Sequence, residues 1–134
     1  MHLITRAACA ATLACAATQA LADDIRTERV QFHKGSNSAT VEDSIKGYEG
    51  VDYVLGAKAG QLMNVSMATD NSANYFNIIA PGKESEAMFI GSTSGNQFEG
   101  PLPASGDYKI RVYMMRSAAR RDEVANYRLE MIID

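Results

Sequence analysis

Within residues 102–121, LPASGDYKIRVYMMRSAARR, two groups of side chains have the types and spacing to recognise a charged partner. Ser105 and Tyr108 place hydroxyls either side of Gly106 and Asp107, where each can donate to a carboxylate or accept from a protonated acid. Arg116 and Arg120 are four residues apart, so one helical turn sets them on the same side, with Arg121 next to them. Guanidinium forks match carboxylates and bind them in pairs. Such a set suits an acidic target, and a glycosidase cleft holding two carboxylates is one. The same residues also have a plain structural reading. Pro103–Asp107 makes a good turn, and Tyr108 shares strand parity with Ile110 and Val112, as a tyrosine corner would. The arginines would then be a solvated face balanced by Asp122 and Glu123. Spacing leaves both readings open, including whether Tyr108 points to the core or to a partner.

Little else in the chain resembles reaction machinery. A hydrolase needs an activated nucleophile or paired acid and base groups. Once a leader is removed the remaining histidine is His33, on the apparent solvent face of a strand, and no cysteine remains. There is no G-x-S-x-G, H-E-x-x-H or phosphate-cradling glycine loop. Asp70–Asn74, DNSAN, has the alternating oxygens of a calcium loop, but Tyr75 and Pro81 stand where that loop needs Gly and Glu. It reads as a polar turn. Met63, Met67, Met88, Met114, Met115 and Met131 lie in strand patterns without a clustered M-x-x-M run, so they read as core filling rather than a copper site. No enzyme, metal or cofactor is expected.

The amino terminus, MHLITRAACAATLACAATQALADD, has one basic residue, an uncharged run from Ala7 to Ala22 and a small-x-small ending. It is predicted to be a signal peptide over residues 1–22, too short in its apolar run to anchor in a bilayer. The domain is then residues 23–134, exported to the periplasm without a cysteine and so without disulfides. Of 13 Lys and Arg, Arg6 leaves with the leader, so 12 face 16 Asp and Glu, a net charge of about −4. That charge argues against nucleic acid, no membrane association is expected, and a basic partner is mildly favoured.

Apolar residues recur at every second position. Val30 and Phe32 alternate with Gln31 and His33. Val51, Tyr53, Leu55, Ala57 and Ala59 share a face opposite Asp52 and Lys58. Met63–Met67, Tyr108–Met114 and Tyr127–Ile133 alternate in the same way, and shorter candidates are 39–46, 74–80, 86–91 and 96–100. Turn residues punctuate these runs about every ten positions. The pattern predicts an all-β, antiparallel β-sandwich of about eight strands, jelly-roll-like, with at most one short helix, over 116–123.

The segments VQFHKGSNSATVEDSIKGYEGVDYVLGAKAGQ, NYFNI and LPASGDYKIRVYMMRSAARRDEVANYRLEM resemble the bacterial periplasmic lysozyme inhibitors. The likeness covers about Val30 to Ile133 and rests on F-x-K-G, I-K-G-Y, A-x-x-G-Q, P-A-S-G-x-Y and R-x-x-x-R taken together. It is read as closest to the inhibitors of i-type (invertebrate) lysozyme, with the g-type inhibitors as relatives. The resemblance implies a β-sandwich that plugs the lysozyme cleft. It further implies that the loop Ser105, Gly106, Asp107, Tyr108 carries the contacts to the catalytic carboxylates, with Arg116, Arg120 and Arg121 in support. In the g-type inhibitors an acid contributes near the position of Asn74; the amide here departs from that pattern and favours the i-type reading. Likeness to the i-type inhibitors also implies a homodimer. Two other classes compete: a secreted glycan- or matrix-binding jelly-roll module, like those appended to peptidases, and a periplasmic glycan hydrolase.

Overall fold

The computed structural model describes residues 24–134; the expected leader lies outside the described residues. Nine strands form two sheets. They are β1 (Ile25–Arg29), β2 (Ser38–Lys46), β3 (Gly50–Ala57), β4 (Leu62–Thr69), β5 (Asn74–Ile79), β6 (Phe89–Ile90), β7 (Gln97–Pro101), β8 (Gly106–Met114) and β9 (Val124–Ile133). One sheet runs β1-β3-β8-β5-β6 and the other β2-β9-β4-β7. Helix α1 (Gly91–Ser94) joins β6 to β7, and α2 (Arg116–Arg120) joins β8 to β9.

The period-two pattern builds the core directly, because alternate side chains of a strand face opposite sides. Tyr108, Ile110, Val112 and Met114 of β8 point inward against Tyr127, Leu129, Met131 and Ile133 of β9, all buried. Val51, Tyr53 and Leu55 of β3 and Met63, Val65 and Met67 of β4 complete the two facing layers. Phe76, Phe89 and Phe98 close one flank, with successive ring centroids 5.3 Å apart in tilted and edge-on arrangements. Such pairs add about 0.5–1.5 kcal/mol beyond the area they bury. Gly91 lets α1 cross this flank: a β-carbon there would lie 2.4 Å from the Phe76 carbonyl oxygen.

A polar link through the core joins the two layers. The hydroxyls of Tyr53 (β3) and Tyr127 (β9) lie 2.6 Å apart, buried. Burial, the largest cause, pushes the pKa of both phenols up; for Tyr127 the bond to Tyr53 raises it further. At the sheet edges, Arg26 of β1 pairs with Asp43 of β2.

Several expectations are corrected. The first strand is Ile25–Arg29, earlier than Val30–His33, and it pairs parallel to β3. It is an exposed edge strand that alternates charges rather than apolar residues, so periodicity misses it. Val30 and Phe32 still pack on the core from irregular backbone, and His33 is exposed outside any strand. Among the described residues there are two short helices rather than one, since GSTSG reads locally as a turn. Asp52 lies on the outer face, as its parity requires, but it is 5% exposed there because it takes a two-pronged bond from Arg111, at 2.7 and 3.0 Å. Met115 is 41% exposed and is not core filling.

The tyrosine pair sets a stability experiment. Y127F leaves the Tyr53 hydroxyl buried without its partner and is expected to cost about 1–3 kcal/mol; Y53F/Y127F removes both groups and is expected to recover part of that loss. Because both folded pKa values lie above the ordinary 10.0, their contribution is whole below that pH and is lost as pH rises past it, where the unfolded chain ionises first. Urea unfolding between pH 8 and 11 should show this fall in the native protein and a shallower one in the double variant.

Candidate functional site

Strand β8 carries one motif at each end. Its nine residues span about 30 Å. Ser105 and Gly106 lie where β8 begins, beside the β3–β4 turn, since Gly106 pairs with Ala57. Arg116 and Arg120 follow its far end, where Met114 pairs with Asn74. The hydroxyl loop and the arginine loop therefore occupy opposite ends of the sandwich, and they do not form one site.

At the hydroxyl end the side chains serve the fold. Tyr108 is fully buried. Its hydroxyl donates to the Ala104 carbonyl at 2.6 Å and accepts from the Ala104 N–H at 3.1 Å, closing a tyrosine corner. This corrects its assignment as a partner contact: the ring belongs to the core and the oxygen to the turn. The Ser105 Oγ accepts from the Ala59 N–H at 2.9 Å and pins the β3–β4 turn to the β7–β8 loop. Gly106 has a φ of +141°, a conformation side chains rarely adopt. Asp107 is exposed and receives both prongs of Arg29, at 2.9 and 3.0 Å. That bond, the larger cause, holds the Asp107 carboxyl below its ordinary pKa.

The arginine end is built from three loops. Ala118 and Ala119 of α2 are buried, which anchors the helix and turns Arg116 and Arg120 outward. The β4–β5 loop is an Asn-centred turn: Asn71 Oδ1 accepts from the Ala73 N–H, and its Nδ2 donates to Glu123 Oε1 and the Val124 carbonyl. Asp70 accepts from the backbone and side-chain N–H groups of Asn126, both at 2.8 Å, so DNSAN is a polar turn tied to β9. The β2–β3 turn leans on the same loop, with the Gly47 N–H donating to the Glu123 carbonyl. Gly47 is required twice over. Its φ is +60°, and a β-carbon there would lie 2.6 Å from Asp122 Oδ1.

The charges of this end divide. Arg121 is held by Glu123, and with Asn71, the larger cause, it keeps the Glu123 carboxyl below its ordinary pKa. Among the described residues the salt bridges engage Arg26, Arg29, Lys109, Arg111 and Arg121, and neither Arg116 nor Arg120 takes part in one. Tyr48, next to Gly47 in the turn that packs on α2, is 56% exposed. Sequence reading missed Tyr48; the signal available was an aromatic residue in the turn Lys46-Gly47-Tyr48-Glu49, where no core demands one. Asn74 is corrected in the other direction. It is fully buried, donates from Nδ2 to the Tyr113 carbonyl at 3.0 Å, and cannot meet a partner.

No family model matches the sequence. The chain is 32% identical over 106 residues, 78% of each protein, to the inhibitor of g-type lysozyme of Escherichia coli K12. This chain belongs to the family of g-type lysozyme inhibitors. Among solved structures it is similar to PliG of Aeromonas hydrophila, a periplasmic inhibitor of g-type lysozyme, with a TM-score of 0.76 and 43% identity over 84% of this chain and all of that one. The Salmonella Typhimurium PliG gives 0.66 and 30% over 81% of this chain and 98% of that one. These relatives are inhibitors rather than enzymes, and the periplasmic location expected from the leader matches theirs.

Membership corrects the i-type reading. The S-G-x-Y motif, which the resemblance gave to the family as a whole, is here a turn closed by a buried tyrosine. The departure at Asn74 loses its force for the same reason, because that side chain is inside the protein. A direct test of the corner is Y108F. It is expected to cost about 1–3 kcal/mol in urea unfolding, since two backbone groups of Ala104 lose their partner. Amide exchange at Ala104 should quicken, while exchange in the arginine loop stays as it was.

Proposed function

We propose that this protein inhibits a g-type lysozyme by covering its substrate cleft with the arginine-loop end of the sandwich. The observation that carries this reading is the pair of exposed guanidinium groups, Arg116 and Arg120, on one turn of α2, with no salt-bridge partner among the described residues. A cleft that cleaves glycan by acid chemistry presents carboxylates to such forks. Tyr48 adds a rigid amphipathic ring beside them, and Tyr and Arg are the residues that most often dominate an interface. The helix is anchored by buried alanines and the neighbouring loops are cross-bonded, so little ordering is left for binding to impose. The inhibitor performs no reaction; it occupies the space that the glycan needs. The hydroxyl loop, about 30 Å away along β8, takes no part.

The test is lysis of a peptidoglycan suspension by g-, i- and c-type lysozymes, titrated with residues 23–134. Inhibition of the g-type enzyme is expected. R116A/R120A should weaken it about thirtyfold or more, corresponding to ~2 kcal/mol for a single hot-spot arginine, and S105A should leave it unchanged. Association should slow as salt rises, because the arginines steer the approach to an acidic cleft. A folded R116A/R120A protein of undiminished potency, or inhibition of the i-type enzyme alone, would overturn the reading.

A further inference from the structure

The outer faces of the two sheets differ in a way the arginine tip alone does not use. Opposed residues in neighbouring strands share a face. Ile25 of β1 pairs with Gly50 of β3, and Tyr75 of β5 pairs with Tyr113 of β8. Gly50 precedes Val51, whose partner is Val112, and so it lies beside Tyr113. The row Ile25, Gly50, Tyr113, Tyr75 therefore crosses the outer face of the five-stranded sheet at the arginine end. Ile25 is 46% exposed and both tyrosines are half-buried. Gly50 has no side chain to interrupt the row, and a β-carbon there would come 3.3 Å from the Ile25 side chain.

Charge on this face is self-contained. Asp52 is bound to Arg111, Asp107 to Arg29 and Glu84 to Lys109. The outer face of the four-stranded sheet has no aromatic side chain in its registers and carries Glu42, Glu99 and Glu130 against Lys46 and Arg128, with Asp70 at its rim. At the arginine end that second face presents Lys46 and Val124, with Glu99 and Glu130 farther along the strands, so it is the aromatic row and not charge that distinguishes the first face there. A standard interface takes about 20–30 residues from each side, more than three short loops present.

We infer that the lysozyme, seated on the arginine tip, leans onto the five-stranded sheet, with Ile25, Tyr75 and Tyr113 forming an apolar wall continuous with Tyr48. The inference rests on the reading given under Proposed function and extends the same interface. Half-buried tyrosines and an exposed isoleucine suit the rim of a lysozyme cleft, whose sugar-binding surface has apolar faces to cover.

The experiment compares Kd for g-type lysozyme across four folded variants: Y75A/Y113A, I25D, Q97E on the opposite face, and R116A/R120A. Y75A/Y113A and I25D are each expected to weaken binding about tenfold or more, and Q97E less than about threefold. I25D sits on an exposed edge strand, so it decides the matter if the double tyrosine variant fails to fold. Loss of binding in R116A/R120A with I25D and every folded tyrosine variant within about threefold of native overturns this inference alone. Undiminished binding by R116A/R120A overturns the tip and this wall with it. A loss from Q97E as large as that from I25D overturns the assignment of the face.

Discussion

The structure turns on a constraint of length. Strand β8 lies inside its sheet, bonded to β3 on one side and β5 on the other, and its inward side chains from Tyr108 to Met114 are all in the core. A strand so held cannot bend its ends toward each other. Whatever precedes Gly106 and whatever follows Met114 must act about 30 Å apart. The two motifs therefore cannot converge on one point.

The division follows from what the side chains can spare. At one end the polar side chains have partners within the fold: Tyr108 and Ser105 bond backbone, and Asp107 binds Arg29. At the other, hydrogen bonds run among the loops through Asn71, Glu123 and Gly47, while the guanidinium groups of Arg116 and Arg120 are left out of them. A buried alanine pair under an arginine pair does two things at once. It fixes the helix without capping side chains, and it directs the long cationic chains into solvent. In the proposed function, stability and recognition use different atoms of the same short loop.

The i-type reading failed for an instructive reason. A motif can be specific to a fold without being specific to a target. P-A-S-G-x-Y describes a turn closed by a tyrosine, and such a corner serves any sandwich that needs that loop. R-x-x-x-R differs in kind, because among the described residues neither Arg116 nor Arg120 has a salt-bridge partner to give it a structural task. Asn74 misled because a polar residue near a loop was taken as surface, whereas the chain turns it inward to bond the Tyr113 carbonyl; for Tyr108 the structure decides between two readings that spacing left open.

The sequence by itself determined the sandwich, because a period of two in apolar residues can be buried only by facing sheets, and eight of the nine strands carry that period or lie between clear turn signals. It also determined that two polar motifs flank β8. It did not reveal β1, whose parallel pairing at an edge needs no apolar alternation, nor α1, whose glycine is demanded by a carbonyl distant in the chain. Only the tertiary structure decided which hydroxyls were spent and which arginines were free. That distinction depends on partners remote in sequence, Ala59 for Ser105, Arg29 for Asp107 and Glu123 against Arg121 rather than Arg116. Local spacing tells which side chains can bind; long-range packing decides which of them still have something left to bind with.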